Sequence, residues 1–260
     1  MNKNKVILVL ADGLGYDTAV RELGYMEGAV ARGTARRWKM RCALPSMSRP
    51  LYETIHTGLV PHEHGVTSNK VVRLSNHANV FSIAREAGRR TAAAAYSWFA
   101  ELYNESPYDP VMHKELDDDN RMIQHGRFYT QDAYPDLELF RQADMLVRRF
   151  QPDYLLLHPM GCDYKGHVHG GESRQYRLAA ANIDDLMAVH APAWIEAGYQ
   201  ILFTADHGMD DIGYHGGTRD VVMHVPFYHF HGIPGQDPVA EESACQLSVA
   251  PTILSLMGLD

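Results

Sequence analysis

The chain has 260 residues, 45% of them apolar and 22% charged, with 24 basic side chains against 32 acidic ones. That balance excludes a disordered chain, a collagen and a coiled coil. A formal net charge of −8 is the reverse of a nucleic-acid-binding footprint, and a chain this long buries a substantial core without disulfides.

The elements follow in chain order. An apolar run at residues 6–11 ends in Asp12-Gly13 and predicts a buried parallel strand. It is too short for a secretory leader or a membrane span. Apolar spacing over 80–88 predicts a helix closed by a glycine. Further strands are expected at 90–96, 153–158, 199–205 and 221–230. Amphipathic helices are expected at 136–150, at 172–197 with a break near Pro192, and at 246–257. Strand alternating with helix predicts one α/β domain over 1–260, a doubly wound, mostly parallel sheet sandwiched by helices. Residues 97–135 break the rhythm with Trp98, Phe99, Tyr103, Tyr108, Phe128, Tyr129, Tyr134 and an acidic run at 115–119. They are too many for a structureless loop and are expected to form a small inserted cap. Cys42, Cys162 and Cys245 are odd in number and widely spaced, which predicts a reducing, cytoplasmic setting.

Sites in open parallel sheets form beyond the C-terminal ends of the strands, and here those ends carry metal-ligand side chains. The first strand ends at Asp12; Asp163 and His167 follow the 153–158 strand; Asp206, His207 and His215 follow the 199–205 strand. Singly, each fits an ordinary turn. Together, three aspartates and three histidines divide into two sites for divalent ions, zinc first and manganese or iron next. Two ions about 4 Å apart can bind the attacking and leaving oxygens of an in-line displacement. Two divalent ions against three carboxylates leave a locally positive pocket in an acidic protein. The segment Pro45-Ser46-Met47-Ser48-Arg49-Pro50 leads into a helix. A serine there either caps the helix or attacks phosphorus beside its N-terminal amides.

These motifs, with Thr57-Gly58, His64-Gly65, Gly208-Met209 and the closing Ala250-Pro251-Thr252, resemble the alkaline phosphatase superfamily, in particular its type I phosphodiesterase/nucleotide pyrophosphatase branch. The resemblance implies one metal on Asp12, Ser48, Asp206 and His207, and a second on Asp163, His167 and His215. His169 and His224 stand near enough in sequence to compete with His215. The family's nucleophile stands two residues before a proline and ten before a glycine. Ser48, Pro50 and Gly58 meet both spacings, and Ser46 meets neither.

The sequence departs from the branch at Leu51, where an asparagine often helps hold a phosphate oxygen. Lys165 is the expected substitute donor, while Arg49 reads as a solvated charge. Tyr52 stands where the sulfatase branch carries an arginine, which removes that branch. Cys42 and Cys162 read as small buried hydrophobes. The expected function is a two-metal phosphohydrolase that cleaves a phosphodiester or pyrophosphate bond through a phosphoryl-serine. Its expected partner is a small phosphate-bearing substrate such as a nucleotide, with neither nucleic acid nor membrane. The alternatives are a phosphomonoesterase or phosphonate hydrolase, a phosphomutase, and a metal-binding protein without catalysis.

Overall fold

A computed structural model describes residues 4–231 and 244–259. In chain order the elements are β1 (Lys5–Leu10), α1 (Tyr16–Glu22), α2 (Gly24–Ala31), β2 (Ala35–Arg41), α3 (Ser48–Thr57), α4 (Pro61–His64), α5 (Val80–Glu86) and β3 (Thr91–Tyr96). Next come α6 (Ser97–Tyr103), β4 (Glu115–Asp117), β5 (His125–Tyr129), α7 (Asp136–Phe150), β6 (Tyr154–Leu157), α8 (Gly161–His169) and α9 (Arg174–Glu196). The chain closes with β7 (Tyr199–Thr204), α10 (Asp220–Met223), β8 (His224–Phe230), β9 (Ala244–Cys245) and α11 (Val249–Met257).

The strands form a nine-stranded sheet in the order β4-β5-β3-β6-β1-β7-β8-β2-β9. Its centre, β5-β3-β6-β1-β7, is parallel throughout, whereas β4 and β8 run against their inner neighbours. The central strands are continuous apolar runs because both faces are covered. Val6, Ile7, Leu8, Val9 and Leu10 of β1 are fully buried, as are Leu155, Leu156 and Leu157 of β6. Helix α9 packs with α1, α2, α7 and α8 in one layer, and α11 packs with α3 and α5 in the other. The expected doubly wound α/β sandwich is the observed fold.

Four local expectations change. Part of residues 97–135 belongs to the sheet itself. Strand β5 extends it beside β3, and β4 forms the outer edge. Most of the aromatic side chains there fill core: Phe99, Tyr103, Phe128 and Tyr129 are buried. Helix α9 continues through Pro192. His190 and Trp194, on either side of the proline, both bond Asp144 of α7, at 2.9 and 2.7 Å. That clamp holds the helix where its own main-chain hydrogen bonding is interrupted. Strand β2 lies in a segment whose charges hide the pattern. Arg36 lies over Trp38 and Lys39 over Tyr16, so each cation is accommodated on an aromatic face. Finally, residues 220–223 form α10, and the strand begins at His224.

Candidate active site

Strand β1 lies between β6 and β7, so the segments leaving these three strands meet at one edge. Asp12 follows β1, Asp163 and His167 sit one turn apart on α8 beyond β6, and Asp206 and His207 follow β7. A left-handed Gly13 (φ +72°) makes the turn possible. A Cβ there would stand 2.7 Å from the Cα of Asp163, so only glycine lets β1 run this close to α8.

The six side chains fall into two clusters, Asp12–Asp206–His207 and Asp163–His167–His215, each able to aim one ligand atom per residue at a common point. His207 Nε2 lies 3.6 Å from Asp12 Oδ1 and 3.3 Å from Asp206 Oδ2. In the second cluster His167 Nε2 lies 3.4 Å from Asp163 Oδ1 and 3.2 Å from His215 Nε2. The rings of His207 and His215 stack at 3.7 Å, so the clusters share one pocket. All three imidazoles engage Nδ1 with a main-chain carbonyl: His207 with Gly208 at 3.0 Å, His167 with Gly213 at 2.9 Å and His215 with Ser46 at 3.0 Å. Donation from Nδ1 leaves Nε2 as a lone pair facing the cluster, the usual preparation of a histidine for metal.

The carboxylates give the direct test of fit. Asp12 Oδ1, Asp163 Oδ1 and Asp206 Oδ2 are buried without a hydrogen-bond partner. An orphaned buried carboxylate oxygen is costly, and three converging on imidazole nitrogens are the donor set of a divalent cation. Burial, followed by the charge of Asp12, pushes the Asp163 and Asp206 carboxyls well above the usual range. Burial opposes ionisation of Asp12 as well. There the hydrogen bond from His158, the charges of His207 and His158 and the Tyr52 hydroxyl prevail and hold it down at about 2. Burial lowers His207, and burial followed by the charge of His207 carries His215 down to about 3.

Ser48 opens α3 with its Oγ 3.1 Å from His207 Nε2. Ser46 instead donates to the carbonyl of Gly217 at 2.7 Å. His215 occupies the second cluster, whereas His169 is exposed and His224 bonds the Asp220 carbonyl at 3.2 Å. Lys165 belongs to neither cluster. It lies on the opposite side of α8 from Asp163 and His167, over the ring of Tyr164, where it lines an outer cavity of about 520 Å³. Arg49 is not a solvated charge. It is 2% exposed, pairs with Glu101 at 2.7 Å and stacks on Trp98 at 4.4 Å. Leu51 is fully buried.

Three further residues enter from the structure. Asn69 accepts the Arg49 main-chain N–H at 3.0 Å, which places an amide side chain at the N-terminus of α3 despite Leu51. Tyr52 and His158 both bond Asp12 Oδ2. His158 closes the 153–158 strand, a position that could have marked it; Asn69 had no such signal.

A parallel α/β sheet with two carboxylate–imidazole clusters and a serine at its C-terminal edge defines a phosphoester-acting enzyme class. A profile of the type I phosphodiesterase / nucleotide pyrophosphatase family matches residues 6–224, and the chain belongs to that family. Human ectonucleotide pyrophosphatase / phosphodiesterase 5 superposes with a TM-score of 0.76 over 98% of this chain and 95% of that one, at 13% identity. Alkaline phosphatase from the Antarctic bacterium TAB5 gives 0.62 over 99% and 98%, at 12% identity. The fold is therefore that of the alkaline phosphatase superfamily. In sequence, the catalytic subunit of human GPI ethanolamine phosphate transferase 2 is 24% identical over 98% of this chain, and the Aspergillus fumigatus transferase 2 is 23% identical over 98%. This chain spans 26% and 35% of those relatives. A 2,3-bisphosphoglycerate-independent phosphoglycerate mutase of Halobacterium salinarum is 30% identical over 42% of this chain and 22% of its own length.

Proposed function

We propose that this protein is a two-metal phosphohydrolase that cleaves a phosphodiester or pyrophosphate bond, with Ser48 as the nucleophile. The observation that carries the reading is the Ser48 hydroxyl beside His207, at the junction of two clusters whose inward carboxylate oxygens have no other partner. Asp12, Ser48, Asp206 and His207 would hold one ion, and Asp163, His167 and His215 the other. Mixed carboxylate and imidazole donors favour zinc, then manganese or iron. When bound, the ions would supply positive charge that eases ionisation of the serine hydroxyl and screens the phosphoryl oxygens.

The chain's own residues account for the remaining steps. The first turn of α3 and Asn69 orient the phosphoryl group in front of Ser48. Ser48 Oγ passes its proton to water and attacks phosphorus in line, forming the Oγ–P bond while the bond to the leaving oxygen breaks and that group departs with the bonding pair, taking up a proton from water. Water then opens the phosphoryl-serine and restores the hydroxyl. The substrate would be a small phosphate-bearing molecule, a nucleotide among the candidates. Three free cysteines, Cys42 and Cys162 buried and Cys245 exposed, support a reducing, cytoplasmic setting. No helix among the described residues is long and apolar enough to cross a membrane.

A second reading is transfer to an alcohol instead of water. It is favoured by the ethanolamine phosphate transferases that align with 98% of the chain. Nitrophenol release from a nitrophenyl phosphodiester by the zinc-loaded protein tests the first reading. Ser48→Ala is expected to keep its zinc and lose turnover by about 10³-fold or more. Full activity of that variant with zinc bound would remove the phosphoryl-serine. Reaction in ¹⁸O-water separates the readings, because hydrolysis places solvent oxygen in the phosphate product and transfer does not.

A further inference from the structure

Resting on the two-metal reading, we infer that Tyr52 and His158 are positioning residues for Asp12. They make it a one-oxygen metal ligand and make the Asp12–Asp206–His207 cluster the tighter of the two sites. Asp12, Tyr52 and His158 are all fully buried. The Tyr52 hydroxyl donates to Asp12 Oδ2, and His158 Nε2 contacts the same oxygen at 3.1 Å. A carboxylate oxygen offers two lone pairs, so two donors fill Oδ2 and withdraw it from any metal. The other oxygen, Oδ1, has no hydrogen-bond partner and lies 3.6 Å from His207 Nε2. The carboxylate is thus fixed with one oxygen engaged behind and one free in front.

The two donors are themselves held. Tyr52 stacks on Phe99 at 4.3 Å, and the ring of His158 meets the edges of Tyr52 and Phe99, each at 5.0 Å. The Tyr129 hydroxyl donates to the His158 carbonyl at 2.8 Å. Asp206 is supported similarly, its Oδ1 accepting the Gly13 N–H at 3.1 Å while Oδ2 stays free. The second cluster differs. Among the described residues no hydrogen bond from outside the cluster reaches the Asp163 carboxylate, and the His167 side chain is 42% exposed. A site whose ligands are already in place gives up less freedom on binding than one that must order them. The first cluster therefore fills first, and its advantage depends on two residues that touch no metal.

Zinc alone, titrated into the chelator-stripped full chain against a chromophoric chelator, reads the two affinities. Two steps are expected. Asp163→Asn should erase the weaker one, which assigns the steps. Tyr52→Phe and His158→Leu should each weaken the tighter step by about 10–100-fold and leave the weaker step in place. His158→Gln, which keeps an N–H donor, should recover part of the loss. Tyr52→Phe keeps its ring on Phe99, so it decides the matter even if His158→Leu fails to fold. An unchanged tighter step in Tyr52→Phe, or equal weakening of both steps, overturns the inference. Absence of zinc binding by the unaltered chain would instead overturn the two-metal reading itself.

Discussion

At the scale of single residues, two cations depart from the roles their sequence positions suggest. Lys165 sits inside the Asp163-to-His167 motif yet points away from it, because α8 turns about 100° per residue and only positions 163 and 167 share the inward face. Lys165→Ala is therefore expected to change kcat/KM on a nitrophenyl phosphodiester by less than about threefold, within the scatter of surface substitutions. A loss of 100-fold would place the ammonium at the substrate. Arg49 is the buried cation, committed to Glu101 and Trp98. The ligands themselves were legible because each stands in a short motif just beyond a strand. Tyr52 and Asn69 were not, because they reach the site from a helix interior and a loop, while His158 had only its place at a strand end to mark it.

At the scale of elements, the site depends on how closely β1 approaches α8. Gly13 carries φ +72° and leaves no room for a methyl group against Asp163. Gly13→Ala adds about 1–2 kcal/mol of backbone strain and must also push α8 away. Its expected signature is loss of bound zinc at both sites, measured as metal per chain in a protein that still folds. The start of α8 is fixed from the other side by Asp136 of α7, which accepts the Gly161 N–H at 3.3 Å. Burial raises the Asp136 carboxyl to about 6, against the pull of the Gly161 and Met160 amides. A carboxyl raised on folding favours the folded state at low pH. That advantage is lost between about pH 4 and pH 6, and above that window the buried, ionised carboxylate costs the folded state about 3 kcal/mol relative to low pH. Asp136→Asn should therefore raise the thermal midpoint at pH 8 and leave it nearly unchanged at pH 4. An equal shift at both pH values would mean that the carboxyl is not raised. The strands and helices of the sheet centre were readable as apolar runs and helical spacing. Strands β2, β4 and β5 were not, because charged or glycine-containing segments take their place in the sheet through tertiary pairing rather than local preference.

At the scale of the whole molecule, the two clusters join parts of the chain that the sheet only sets side by side. Asp12 comes from β1, Asp206 and His207 follow β7, Asp163 and His167 come from α8 beyond β6, and His215 comes from the loop bonded to Ser46 before α3. Three of these carboxylates hold an unpaired buried oxygen, so without a cation the centre of the molecule carries a desolvation cost with no compensating bond. Ions that bind only the folded chain stabilise it by mass action, about 4 kcal/mol per site at a thousandfold excess over Kd. At about 2–4 °C per kcal/mol for a chain of this size, zinc should raise the thermal midpoint of the stripped protein by roughly 8–16 °C for the first site alone. The gain should disappear with chelator and return on zinc addition. It should be smaller in Asp206→Ala, where the first cluster is broken and only the second remains. A midpoint indifferent to zinc, manganese and iron would mean that the six side chains are not ligands, and the phosphohydrolase reading would fall with them.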